Sequence, residues 1–284
     1  MLSKSQKAVL YMVGSVICFS TMDLIVKYLD EVPFGQVLFM RFFFGMIPIF
    51  FLIPKEKIFT FYKTKRPGLH TFRAVSGTIA IIALFIALRN LPLAEVISLT
   101  FTGPLFVTIM SVIFLSEKVG IRRWSAVGIG FVGMLFIVRP AFEEMNLYYI
   151  FPILFSLGFA NVAISIRSLS KTEPNYLIAF YFSLLSLLVG LGTIFNGWIW
   201  PTLYETFLFI ILGLSGGVAN LLLTQSYRLA DASLVSPLKY LSLVVAVLAG
   251  YFIFSEVPKL ITLFGAGLIV ISSFIIFRRE ETLK

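Results

Sequence analysis

Four charged residues stand where charge is expensive. Asp23, Arg41, Arg73 and Lys239 each fall inside a long, mostly apolar run. A charge deep in such a run costs roughly 2.5–3.5 kcal/mol on membrane-insertion scales, so each needs a partner or a path to water. Asp23 and Arg41 lie on consecutive runs joined by the short turn Asp30–Pro33. Both sit about 10 Å from the end of the run that faces this turn. Antiparallel neighbours at equal depth can pair. The pair then serves either as a gate or proton-sensitive switch that opens when Asp23 protonates, or as a static tie between two helices. Arg73 and Lys239 enter their runs from the opposite side. If both face one cavity, two cations line its inner half and hold a carboxylate, a phosphate or another electron-rich group. The alternative for Arg73 is snorkelling to lipid headgroups.

Backbone-breaking residues accompany these charges. Pro237 precedes Lys239 and lacks an N–H, which loosens the helix there, and Tyr240 follows. Pro104 interrupts another run just after Thr100, Phe101, Thr102 and Gly103. Broken helices near the midplane can offer backbone groups to a bound solute. Thr100, Thr102 and Tyr240 are therefore candidate substrate-binding residues beside Lys239 and Arg73, and Phe101 and Phe106 are candidates to line a cavity. His70 is the one histidine and is expected at the membrane interface. Glu95 is expected to be solvated at the outer start of its run, and Glu117 and Glu256 to anchor run ends. Cys18 is the one cysteine; it offers no disulfide and is read as packing. The chain contains no phosphate-binding glycine loop, no metal-ligand cluster and no triad built on its one histidine. No catalytic residue, cofactor or metal is expected, and the chain does not read as an enzyme.

The elements that must position these residues are membrane spans. Of 284 residues, 59% are hydrophobic and 13% charged, more apolar surface than a soluble fold of this size hides. Ten segments meet the span requirement of about 20 apolar residues: 8–29, 34–54, 69–89, 94–115, 124–140, 147–168, 175–195, 204–228, 233–254 and 260–278. The first is too long for a signal-peptide core and is read as retained. The net charge of +9 follows from topology and not from nucleic-acid binding. With the N-terminus in the cytoplasm, 16 basic residues fall inside against four outside, Lys27, Arg89, Arg139 and Lys259. That bias predicts both termini inside. Tyr148, Tyr149, Trp198, Trp200 and Tyr204 cluster at the expected outer edges, as interfacial aromatics do.

The chain also repeats itself. An apolar run closes on Ser116–Glu117 and another on Ser255–Glu256, 139 residues later. The order of features repeats with them: a charged connection, a long span, Ser-Glu, then a short glycine-containing span ending in Arg139 or Arg278. Five spans is an odd number, so the second half enters the membrane inverted. The expectation is an all-α polytopic protein of ten transmembrane helices, built as two inverted five-helix repeats over 1–140 and 141–284. Inverted repeats are a common design of secondary carriers, because exchanging the packing of the halves converts an inward-open into an outward-open state. The glycines Gly128, Gly130, Gly133, Gly265 and Gly267 permit close helix contact, within the chain or in a homodimer.

The sequence resembles the drug/metabolite transporter superfamily, EamA type, over nearly its whole length. The resemblance rests on the ten-span plan, on "DLIVKYL" at 23–29, "RFFFG" at 41–45, "LRNLPLAEVISLTFTGPLFVTIMSVIFLSEKV" at 88–119 and "ASLVSPLKYLSLVVAVLAGYFIFSE" at 232–256. With "HTFR" at 70–73 and "KYL" at 239–241, the chain is similar to carriers for S-adenosylmethionine uptake within that family. Other members move riboflavin, amino acids or further metabolites. The resemblance implies a cavity lined by spans 3, 4, 8 and 9 around which spans 1, 2, 6 and 7 move. One departure is Ala163, which stands in the second half where the first has Asp23. The expected function is movement of a small organic metabolite across a bacterial inner membrane by alternating access, with uptake of an S-adenosylmethionine-like or amino-acid-like solute favoured. The alternatives are export by the same fold, or a receptor or assembly protein that transports nothing.

Overall fold

The structure is a computed structural model that describes residues 4–115, 121–144, 146–230, 235, 238–239, 241–268 and 270–271. Among the described residues the regular structure is helical. The α-helices are α1 (Lys4–Tyr28), α2 (Phe34–Phe51), α3 (Pro67–Asn90), α4 (Leu93–Thr100), α5 (Gly103–Leu115), α6 (Ile121–Glu144), α7 (Ile150–Leu169), α8 (Asn175–Leu191), α9 (Leu203–Leu229) and α10 (Leu241–Phe254). A further helical stretch runs over 260–268. Among the described residues, five helices are long and apolar enough to cross a membrane: Gln6–Tyr28, Phe34–Phe51, Pro67–Asn90, Leu147–Leu169 and Leu203–Leu229. They correspond to the expected spans 1, 2, 3, 6 and 8. Expected span 4 is two helices, α4 and α5, which part at Phe101–Thr102, beside Pro104 as anticipated. Apolar side chains such as Phe43, Phe131, Phe207 and Phe252 are exposed, the surface a hydrocarbon solvent favours.

The chain forms two compact units, and neither coincides with a sequence half. The first joins the chain up to Thr78 with Ser165–Leu229; the second joins Ile79–Ile164 with the chain from Ala230 onward. Each unit therefore takes helices from both halves.

In the first unit α9 packs on α1 and α2, and α2 packs on α8. α1 and α9 run antiparallel: Ser15 Oγ donates to Ala219 O at 2.9 Å, and Ser226 Oγ to Ala8 O at 2.8 Å. α2 and α9 approach through glycine. A Cβ on Gly45 would lie 3.1 Å from Gly213 O. Gly213 and Gly217 form the small-xxx-small spacing that lets two backbones meet in lipid, where packing and not the hydrophobic effect holds helices together. Gln36 clamps the connection before α9 from both sides, its Nε2 donating to Ile199 O at 2.8 Å and its Oε1 accepting from Ile199 N at 3.1 Å.

In the second unit α4 packs on α10 and on α6. Ser255 ends α10 in the left-handed region, at φ 54°. The reversal carries Glu256 back, so its N–H donates to Gly250 O at 2.8 Å. Its carboxylate accepts the Leu93 N–H at the start of α4 at 2.7 Å. Glu256 thus anchors a helix end, as expected. Glu117 lies outside the described residues. Of the expected close glycine contacts, Gly265 meets Gly133, whose O would stand 2.6 Å from an added Cβ, while Gly128 and Gly267 face open space.

Candidate functional site

The first unit gathers three of the intramembrane charges. Asp23 comes from α1, Arg41 from α2 and Arg73 from the first turns of α3. All three are buried, Asp23 at 7% exposure and each arginine at 1%. Arg41 Nη2 donates to Gly216 O at 3.2 Å. Arg73 Nη2 donates to Asn220 Oδ1 at 3.2 Å. Gly216 and Asn220 are four residues apart on α9, so the two guanidinium groups bind α9 about one turn, roughly 6 Å, apart. Their positions also make them electrostatic neighbours: the charge of Asp23 bears on Arg41, and that of Arg41 on Arg73.

Aromatic rings cover both cations. The Arg41 guanidinium carbon lies 3.9 Å from the Phe42 ring centroid, and that of Arg73 lies 4.2 Å from Phe182. The two rings meet edge to face at 5.1 Å. Desolvated guanidinium–ring contacts of this kind contribute about 2 kcal/mol, which offsets part of the cost of removing each cation from water. Gly216 makes the approach possible: a Cβ there would stand 2.9 Å from Arg41 Nε.

This arrangement departs from one of the two readings the sequence offered for Arg73, snorkelling to lipid headgroups. Arg73 does not snorkel; α9 reaches it with an amide in mid-helix. Its cationic neighbour within the unit is Arg41, whereas Lys239 belongs to the second unit. Asn220, Phe42 and Phe182 escaped sequence reasoning. For Asn220 a signal existed, an amide inside the apolar run "GGVANLLL". For the phenylalanines none did, because the chain has 31.

His70 stands at the start of α3, at the end of the expected span 3, and is buried there within the protein. It is 0% exposed and its ring lies 4.7 Å from that of Tyr181. The reason is the connection between α2 and α3, which folds over the end of the unit. Glu173 accepts from Thr64 Oγ1 and from Lys65 N, each at 2.9 Å. Arg66 Nη1 donates to Ser168 O at 3.0 Å, and Tyr181 Oη to Tyr62 O at 2.5 Å.

The second unit holds Lys239, Thr100, Phe101 and Thr102. Lys239 is partly buried in a short turn before α10. Its Nζ lies 3.1 Å from the Phe159 ring centroid, so α7 supplies an aromatic face to this cation. Tyr240 and Pro237 lie outside the described residues. At the α4–α5 break the hydroxyls serve the backbone: Thr100 Oγ1 donates to Ile97 O and Thr102 Oγ1 to Leu99 O, both at 2.7 Å. Ser156 of α7 adds bonds to Leu99 O at 3.3 Å and Thr100 O at 3.2 Å. Phe101 is 2% exposed and packs within the unit.

Glu95, expected in solvent, is 3% exposed. It accepts hydrogen bonds from Tyr149 Oη and from Thr262 Oγ1. The turn Leu147–Tyr149 and the stretch 260–268 cover the start of α4, which the sequence left open.

The comparisons with known proteins agree with this architecture. A solved crystal structure superposes with a TM-score of 0.72 at 17% identity, over 98% of this chain and 98% of that one, a likeness of fold. The chain is 31% identical to the S-adenosylmethionine uptake transporter of Rickettsia bellii (strain RML369-C), over 95% of this chain and 93% of that protein. It is 29% identical to a riboflavin transporter of Rhizobium johnstonii, over 98% and 93%, and 27% identical to a pseudopaline exporter of Pseudomonas aeruginosa, over 97% and 98%. The EamA-like transporter family matches residues 6–139 and again residues 146–278. An all-α polytopic membrane protein that carries this family's repeat twice, the chain belongs to the EamA-like transporter family.

Proposed function

We propose that the protein is a secondary carrier of the bacterial inner membrane that takes up a small organic solute carrying both adenosyl-like and amino-acid-like parts, with S-adenosylmethionine as the leading candidate. The observation that carries this reading is Arg73, buried to 1% exposure in a membrane-spanning helix and held by the mid-helix amide Asn220. A buried cation in a span costs stability and is retained where it serves a solute or a conformational step. Similarity to an S-adenosylmethionine uptake transporter over 95% of the chain supports the choice of solute. Alternating access by two inverted repeats, with both termini in the cytoplasm, supplies the cycle. Lys239, beside the Phe159 ring, is proposed as a second solute contact, together with Thr100, Phe101, Thr102 and Tyr240.

Uptake of radiolabelled S-adenosylmethionine into proteoliposomes tests this reading. Saturable uptake, competed by unlabelled S-adenosylmethionine and weakened in Arg73→Gln, is expected. Riboflavin competing where S-adenosylmethionine does not would overturn the choice of solute. Accumulation that runs only outward when gradients are reversed would replace uptake by export.

A further inference from the structure

In the first unit, two buried guanidinium groups carry more N–H groups than the protein supplies acceptors for. Arg41 and Arg73 each make one hydrogen bond through Nη2. The Nε and Nη1 atoms of both arginines are buried without a hydrogen-bond partner, as is Asn220 Nδ2. Buried polar groups in folded proteins are nearly always paired, and a guanidinium does not relieve its position by losing a proton. Among the described residues, Asp23 is the acid whose charge bears on the pair, and it bears on Arg41. Two cations and one carboxylate leave a positive excess in the interior of a membrane protein. An anion completes both the charge and the hydrogen bonding.

The surroundings select the kind of anion. Phe182 closes one face of the Arg73 guanidinium and Phe42 one face of Arg41, which directs a ligand to the in-plane N–H edges. An edge of that kind binds a planar carboxylate through two parallel bonds. The Asn220 amide, already joined to Arg73, adds a donor on the same side chain that fixes the guanidinium. Headroom is small: a Cβ on Gly77 would stand 2.9 Å from Phe182, and one on Gly216 would stand 2.9 Å from Arg41 Nε. A flat carboxylate suits such a space better than a tetrahedral phosphate.

We propose that Arg73, Asn220 and Arg41 form a buried binding site for the carboxylate group of the transported solute. The proposal rests on the reading of the chain as a carrier of a small organic solute. In this structure the site is closed, with Arg73 at 1% and Asn220 at 4% exposure, so the carboxylate enters in a conformation that parts these helices and is then enclosed.

The test uses the purified full-length chain in detergent and reads the thermal unfolding midpoint. The first titration compares sodium acetate with sodium phosphate and sodium chloride at equal ionic strength. Acetate is expected to raise the midpoint most. Its half-saturating concentration is expected to rise about tenfold or more in Arg73→Gln and in Asn220→Leu. Asn220→Leu keeps the bulk but removes the acceptor of Arg73 Nη2, so the unliganded variant is expected to fold with a lowered midpoint, and the readout is the acetate-induced shift measured from each variant's own unliganded midpoint. An equal acetate-induced shift in the parent and Asn220→Leu overturns the site, whatever the two unliganded midpoints. A phosphate response exceeding that of acetate overturns the carboxylate assignment. The second titration compares S-adenosylmethionine with its decarboxylated form, which is expected to bind about tenfold more weakly. Equal binding of the two overturns the site as a solute contact. A selective acetate response with binding of neither adenosyl compound overturns the choice of solute and leaves the carboxylate site standing.

Discussion

The carboxylate of Glu256 accepts the backbone N–H of Leu93 at 2.7 Å, so the end of α10 caps the start of α4. The bond gives a structural use to the Ser-Glu ending of this apolar run. Ser255 turns the chain, and Glu256 meets the positive end of α4, where backbone donors lack intrahelical partners. Replacing Glu256 by Ala is expected to destabilise the protein by about 1–2 kcal/mol. Glu256→Gln, which still accepts a hydrogen bond, should lose less. Thermal unfolding of the two variants in detergent reads the difference, and equal loss in both would deny the cap.

Glu173 holds the connection between α2 and α3 through Thr64 and Lys65. With Glu173→Ala, two hydrogen bonds to a buried carboxylate disappear. Trypsin is then expected to cleave after Lys63, Lys65 or Arg66 several-fold faster than in the parent. Unchanged cleavage would mean that the strap is held by Tyr181 and Arg66 alone.

Asp23 and Arg41 provide a double-mutant cycle. Asp23→Asn and Arg41→Gln are each expected to impair transport, and the charge swap to recover part of the loss. The coupling between the single changes is expected to reach at least about 0.5 kcal/mol. Strict additivity would show that the two charges act independently.

Lys239 is expected to tolerate Met in folding and expression but not in binding. Its ammonium group rests on the Phe159 ring, and losing a charge-assisted hydrogen bond to solute costs about 1.5–3 kcal/mol. Lys239→Arg should restore only part, because a planar fork does not replace a compact ammonium. Solute-dependent thermal shifts measure this. Parental binding by the Met variant would make Lys239 a packing residue.

Topology is open to direct measurement. Reporter fusions at positions 60, 120 and 230 are expected to report cytoplasm, and those at 92, 144 and 200 the outside. An external position 60 would require every later span to be reassigned, and the inverted-repeat order would fall with it.

Composition and hydropathy alone determined the class of this protein, because a bilayer admits only helices or closed barrels and a helical span needs a long apolar run. The break beside Pro104 was legible for a similar reason: proline's missing N–H and fixed ring act locally. So were the costly charges, since a charge within an apolar run stands out without any structure. What those charges touch was decided only by the tertiary fold. Hydropathy is indifferent to direction around a helix, and so Arg73 could be assigned to lipid headgroups or to a cavity, while packing turned it toward Asn220 and the Phe182 ring. Glu95 was misplaced, and the burial of His70 was not legible, because burial at a span end depends on which distant segment folds over it. For His70 that segment is the strap held by Glu173; for Glu95 it is Tyr149 and Thr262. The division into units, each drawing on both sequence halves, likewise arises from contacts between helices far apart in the chain, such as glycine-mediated packing of α2 on α9, which no local pattern encodes.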